Sequence, residues 1–289
     1  MTSLAEGSAT VDRPVASDID VFGLTHTGKV RPINQDQFLI ASLHKTMQVH
    51  ASSVPSNQLG ELTSESRGYL FIVADGVGGG PAGERASGTA LQALAEYATH
   101  TMRFYYHHDP DLETRFIEEL QEAVLESHEI IRTRDAGAAT TLTMVVVRWP
   151  RAYVVQVGDS RAYLLHEGRL QQLTKDQTMA QVLMDAGVVP SPDQHVSRWK
   201  NVLMSALGGR EANPVLTART LRWEDVMLLC TDGLTRHVSD KEIEAELKQI
   251  QSAEQSCRRL VKLALERGGT DNVTVVIGRL RSRRSTPPA

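Results

Sequence analysis

The sequence predicts an α+β fold in which antiparallel sheets are covered on the outside by helices. Two observations point there. Apolar runs rich in Val, Ile, Leu and aromatics come mostly in consecutive pairs separated by short turns, where a parallel sheet would alternate each strand with a helix. Three longer segments carry apolar residues at helical spacing. The chain has 289 residues, 41% hydrophobic and 23% charged, which suffices for one large domain with its own core.

Taken in order, residues 1–17 are small and polar without apolar periodicity and read as a solvated tail. Phe38–Ala41 is the first expected strand. The polar stretch 44–67, rich in Ser, Asn and Gln, fits a long surface loop or mobile hairpin. Tyr69–Ala74 is a second strand. Glu84–Arg103 and Leu112–Arg134 are helical, the latter with Phe116, Leu120, Val124 and Ile131 on one face. Thr141–Val147, Ala152–Val157 and Ala162–Leu165 are strands, with a turn over His166-Glu167-Gly168-Arg169 after the last. Residues 174–210 hold a short helical pattern, Met179–Ala186, then Pro- and Gly-marked irregular chain, and suit a mobile flap over a site. Val226–Cys230 and Val273–Ile277 complete the strands, and helix Ala253–Arg267 stops at Gly268-Gly269. That is enough for two sheets. The basic end 281–289 is a second tail, so 18–280 is expected to form one domain.

Composition excludes several classes. A formal net charge of −4 gives no basic excess of the kind that holds a nucleic-acid backbone or an anionic membrane, so no nucleic acid and no membrane are expected as partners. The two cysteines, Cys230 and Cys257, sit in apolar and helical contexts and read as packing residues of a reducing compartment. The first residues lack a basic start with an apolar stretch behind it, and no run approaches roughly 18 apolar residues. A cytoplasmic location is the expectation.

The informative pattern is where the aspartates fall. Leu70 to Ala74 runs into Asp75-Gly76, Met227 to Thr231 into Asp232-Gly233, and Val154 to Val157 into Gly158-Asp159; Gly269-Thr270-Asp271-Asn272 immediately precedes the strand Val273–Ile277. One Asp-Gly after a strand is a turn. Four at strand ends imply convergence, and converged carboxylates repel unless a cation lies among them. Oxygen ligands without Cys or His suit Mg²⁺ or Mn²⁺. Two such ions about 3.5 to 4 Å apart can activate a water and clamp a phosphoryl group. No phosphate-cradling Cys loop, Gly-x-Ser-x-Gly elbow or His-Glu-x-x-His helix offers another chemistry. Arg31, five residues before Asp36, is either a bidentate phosphate anchor or a surface ion-pair partner.

Together these segments resemble the metal-dependent protein serine/threonine phosphatases of the protein phosphatase 2C type, in their compact bacterial form. Arg31-Pro32-Ile33-Asn34-Gln35-Asp36, Ala74-Asp75-Gly76-Val77-Gly78-Gly79, Ala139-Thr140-Thr141, Val157-Gly158-Asp159-Ser160-Arg161, Thr231-Asp232-Gly233-Leu234 and Gly269-Thr270-Asp271-Asn272 occur in the family's order and span nearly the whole chain. The resemblance implies a four-layer α-β-β-α sandwich, two antiparallel sheets flanked by helix pairs. It implies that Asp75 bridges two metals, Gly76 binds one through its carbonyl, Asp232 and Asp271 complete the first site, and Asp36 holds metal-bound water. Asp159 would join Asp232 at a weaker third ion, and Arg31 would bind substrate phosphate. Gln35 stands where many members carry glutamate, and Val77 where animal members carry a histidine proposed as general acid; bacterial relatives share both features.

The implied function is hydrolysis of phosphoserine and phosphothreonine by attack of a metal-bridging hydroxide. The implied partners are phosphorylated proteins, including Ser/Thr kinases and their substrates, and the expected state is a monomer. A catalytically silent regulatory binding module on the same fold, or a phosphatase of small phosphate esters, is the alternative. Gly76 to Gly83 lacks the Lys-Ser/Thr ending of a nucleotide loop. His107-His108 shows no ligand spacing.

Overall fold

The structure is a computed structural model, and it describes residues 13–44, 68–78, 81–100, 102, 110–188, 199 and 201–281. Most of the 1–17 and 281–289 tails, nearly all of the 44–67 stretch, residues 189–198 of the flap segment, and His107-His108 lie outside the described residues.

Eleven strands in the described chain form two sheets, and every pairing is antiparallel. One sheet takes the order β1 (Ile19–His26), β11 (Val273–Leu280), β10 (Val226–Cys230), β7 (Arg161–His166), β8 (Arg169–Gln172). The other runs β2 (Asp36–Leu43), β3 (Gly68–Val77), β5 (Leu142–Arg148), β6 (Arg151–Val157), β9 (Val215–Thr220), with the two-residue β4 (Ala139–Thr140) beside β3. Helices α1 (Pro81–His100) and α2 (Pro110–Arg134) cover the second sheet; α5 (Asp240–Lys248) and α6 (Ala253–Glu266) cover the first. The short helices α3 (Met179–Asp185) and α4 (Asp232–Thr235) sit at the loops.

Side-chain alternation along each interior strand builds three apolar layers from two sheets. On β3, Leu70 and Ile72 meet Phe116, Leu120 and Val124 under the helices, while Phe71 and Val73 face the other sheet. On β10, Leu228 and Cys230 pack beneath Cys257 and Leu260 of α6, while Met227 and Leu229 fill the space between sheets. This is the four-layer sandwich that the resemblance implies. Both cysteines are free and buried, as packing residues should be.

The elements differ from expectation in identifiable places. The strand expected at Thr141–Val147 is β5, one residue later at each end; Thr141 separates it from the unforeseen β4, which pairs β3, and donates its N–H to the Asp75 carbonyl at 2.9 Å. Strands β1, β8 and β9 and helix α5 are additional. The flap segment is anchored at its base: Met179 N–H donates to Val202 O and Met204 N–H to Gln177 O, and Thr140 bridges Leu207. No helix among the described residues is long and apolar enough to cross a membrane.

Candidate metal and phosphate site

The site lies at the edge where the two sheets meet, and register puts it there. Asp36, the first residue of β2, is directly opposite Asp75 on β3. Asp232 begins α4 just after β10, and Asp271 precedes β11, the neighbour of β10. Asp159 closes the turn between β6 and β7. Asp75, Asp159, Asp232 and Asp271 therefore line one cleft of about 390 Å³, with Arg31 and Arg236 at its rim.

Backbone geometry holds these carboxylates in place. Thr141 Oγ1 accepts from Asp75 N–H at 3.0 Å, and Thr140 Oγ1 donates to Asp75 O at 2.9 Å. Gly76 is obligatory, since a Cβ there would lie 2.3 Å from the Gly83 carbonyl oxygen. At Gly233 a Cβ would lie 1.8 Å from the Asn272 carbonyl oxygen, so α4 and the 269–272 loop meet backbone to backbone. Asn272 ties the approach to β2: its Nδ2 donates to Thr27 O and Ile33 O, and its Oδ1 accepts from Gln35 N–H. Gln35 Nε2 donates to Gly78 O at 2.8 Å.

Asp36 is 1% exposed, and its Oδ2 accepts from Thr231 Oγ1 at 2.8 Å and Thr274 Oγ1 at 2.7 Å. Its Oδ1, like Asp232 Oδ1, is buried with no hydrogen-bond partner among the described residues. Burial pushes the Asp36 carboxyl up to about 7, against the two threonine hydrogen bonds and with the help of Asp232 and Asp271. Asp159 is likewise raised to about 7 by burial, then by Asp232 and Asp176. Asp75 lies well above the carboxylate range through burial and then Asp36, Asp232 and Asp159. Asp232 is raised by burial, with Arg236 pulling the other way.

Buried, mutually repelling carboxylates with orphaned oxygens are an environment that a divalent cation relieves, and an all-oxygen donor set fits Mg²⁺ or Mn²⁺. The residues fit. As the side chains stand, no three acidic, His or Cys groups among the described residues are arranged around an ion position. Guanidinium groups hold the outer carboxylates instead. Arg31 grips Asp271 bidentately, Nε to Oδ1 and Nη2 to Oδ2, both at 2.8 Å. Arg236 contacts both Asp232 and Asp271. Sequence reasoning named Arg31 and all five aspartates but missed Arg236. The signal available was its spacing, four residues after Asp232, which places both on one helical face once α4 is recognised.

Fold and cleft define the class: an α-β-β-α sandwich with an acidic cleft at the edge shared by its sheets. The chain belongs to the protein phosphatase 2C family, whose model matches residues 58–268. It is 39% identical over 214 residues to the serine/threonine protein phosphatase PstP of Mycobacterium tuberculosis, covering 72% of this chain and 40% of that one. The chain thus spans about 40% of that relative's length. Against the serine/threonine phosphatase stp of Listeria welshimeri, identity is 32% over 214 residues, 72% of this chain and 83% of the relative. The solved catalytic domain of PstP in complex with two manganese ions matches with a TM-score of 0.70 at 33% identity, over 91% of this chain and 99% of that one.

Proposed function

We propose that the protein is a metal-dependent phosphatase that hydrolyses phosphoserine and phosphothreonine on proteins. The observation that carries this is the convergence of Asp75, Asp159, Asp232 and Asp271 on one open cleft beside Arg31, with Asp36 buried opposite Asp75 and two of the five bearing orphaned buried oxygens. PstP and stp, named as serine/threonine phosphatases, and the two manganese ions of the PstP catalytic domain support it.

Asp75, Asp232, Asp271 and the Gly76 carbonyl would hold two Mn²⁺ or Mg²⁺ ions, with Asp159 and Asp232 at a weaker third. Such ions supply an activated water and neutralise charge on the phosphoryl group. The protein's own contribution is placement. Thr140 and Thr141 fix the Asp75 backbone, and Thr231 and Thr274 fix one oxygen of Asp36 and leave the other to accept from a water. Arg31, freed from Asp271, would grip substrate phosphate through two parallel N–H donors. Val77, 39% exposed beside the cleft, has no acidic proton, so the leaving alcohol would take its proton from a water or from another group.

The phosphorylated partners of such a cleft are proteins modified by Ser/Thr kinases, and the kinases themselves. This reading also assigns a cytoplasmic location, which two buried free thiols suit, and a monomer. The test is phosphate release from a phosphothreonine peptide with Mn²⁺, with Mg²⁺ and with EDTA, run beside a nucleotide and a small aryl phosphate. Peptide turnover that EDTA abolishes supports the reading. No release with either metal would favour a silent binding module, and turnover of the small esters alone would reassign the substrate class.

A further inference from the structure

Arg236 is the charged residue among those lining the cleft that the proposed function leaves without a role. It caps α4, one helical turn after Asp232, and its side chain is 30% exposed. Its Nε donates to Asp232 Oδ2 at 2.9 Å, its Nη2 contacts the same oxygen, and its Nη1 lies 3.0 Å from Asp271 Oδ2. That Asp271 oxygen also accepts from Arg31 Nη2 at 2.8 Å. Two guanidinium groups, carried on segments more than 200 residues apart, therefore converge on one carboxylate.

Two like charges share a site at electrostatic cost unless an anion lies between them. Here that anion is the pair Asp232 and Asp271, which are also the carboxylates assigned to metal. A carboxylate that turns its lone pairs to a divalent ion cannot keep a bidentate guanidinium on the same oxygens. Metal on the Asp271 oxygens would then displace the Arg31 fork and Arg236 Nη1 together, while Asp232 Oδ1, which no guanidinium touches, stays open to an ion. Arg236 cannot travel far, because the backbone beside it is pinned: His237 O accepts from Arg267 Nη1 at 2.8 Å, and the His237 ring pairs with Thr270 Oγ1 at 2.9 Å. The released groups remain as neighbours at the rim of the same cleft. A phosphate dianion is the ligand whose charge and oxygen count suit two adjacent guanidinium groups.

We propose that Arg236 is a second phosphate-binding residue, acting with Arg31, and that it rests on Asp232 and Asp271 until metal displaces it. The proposal deepens the phosphatase reading and depends on it. As a consequence Arg236 competes with metal, and its removal tightens metal binding while weakening phosphate binding. A purely structural i to i+4 pair with Asp232 would move neither quantity in that combination.

The experiment is calorimetric titration of the full chain, first Mn²⁺ into metal-free protein, then inorganic phosphate into the Mn²⁺-loaded protein, for wild type, Arg236→Gln and Arg236→Lys. Arg236→Gln is expected to bind Mn²⁺ more tightly and phosphate roughly tenfold more weakly, the loss of one charged hydrogen-bonding partner. Arg236→Lys, which keeps the charge and the fold, should recover part of the phosphate affinity. Phosphate binding equal to wild type in Arg236→Gln would overturn the proposal, whatever Mn²⁺ does. Weaker Mn²⁺ binding in that variant would overturn it too, by making the arginine an organiser of the carboxylates. A wild-type protein that binds no Mn²⁺ would instead remove the metal reading on which the proposal stands.

Discussion

Asp75 is where function and stability conflict most directly. It lies opposite Asp36 in the β2 and β3 register, and its carboxyl is raised by burial first and by Asp36 next. Replacing it with asparagine removes a repelling charge while keeping the shape. Asp75→Asn should therefore stabilise the metal-free protein at pH 8 by on the order of 1 kcal/mol, as relief of active-site strain does elsewhere, while turnover and Mn²⁺-induced stabilisation are lost. Thermal melting with EDTA and with Mn²⁺ checks this; an Mn²⁺ shift equal to that of wild type would remove Asp75 from the metal site. Arg31→Ala is expected to raise KM with a milder fall in kcat, since its bidentate fork serves phosphate in the ground state. An unchanged KM would leave Arg31 as the ion-pair partner of Asp271 alone. At this scale the sequence displays the acids but hides what positions them. Asp232 and Asp75 are legible because each follows an apolar run and precedes a glycine. The threonines on Asp36 act across 195 and 238 residues, and no local pattern carries a contact of that range.

Among the elements, α2 shows how an amphipathic pattern becomes packing energy. Phe116, Leu120, Val124 and Ile131 are all fully buried, and the Phe116 ring meets Tyr153 edge-on at 5.0 Å with Arg148 stacked 4.8 Å from its centroid. Phe116→Ala should cost about 3 to 5 kcal/mol through lost burial and the cavity left behind. Urea denaturation reads this as a lowered midpoint at an unchanged slope, with the activity per folded molecule preserved. A midpoint within error of wild type would show that the helix layer contributes little. The interior strands β3, β5, β6, β7, β10 and β11 were legible because burial on both faces makes them continuous apolar runs. The strands that escaped notice are edges. β1, β8 and β9 interleave Asp20, Thr25, Gln171, Gln172, Thr217 and Arg219 with their apolar residues, and none of their residues is fully buried, since an edge strand buries less and needs less. Helix α5 was missed for a related reason, with only Ile243 and Leu247 buried among charged neighbours, although its Ser239 and Glu242 capping box was present in the sequence.

For the molecule as a whole, the site sets the pH dependence of stability. An unfolded aspartate titrates near 3.9, whereas Asp36 and Asp159 in the metal-free fold are raised to about 7, with Asp75 and Asp232 also raised. Between those values the folded protein binds more protons than the unfolded chain, so its stability falls as pH rises through the window from about 4 to 7. Glu242, drawn down by Arg267, acts in the opposite sense but below that window. Metal requires the carboxylates deprotonated, so its stabilisation grows over the same interval. Melting temperatures in EDTA should therefore decline from pH 5 to pH 8, while those in saturating Mn²⁺ decline less or rise, and the two curves diverge with pH. Parallel curves would mean that the buried carboxylates do not exchange protons for metal. A metal-free curve that climbs over this range would mean that the arginines on Asp232 and Asp271 already neutralise the cleft. In that case the charge that destabilises the empty fold is not the charge that metal relieves.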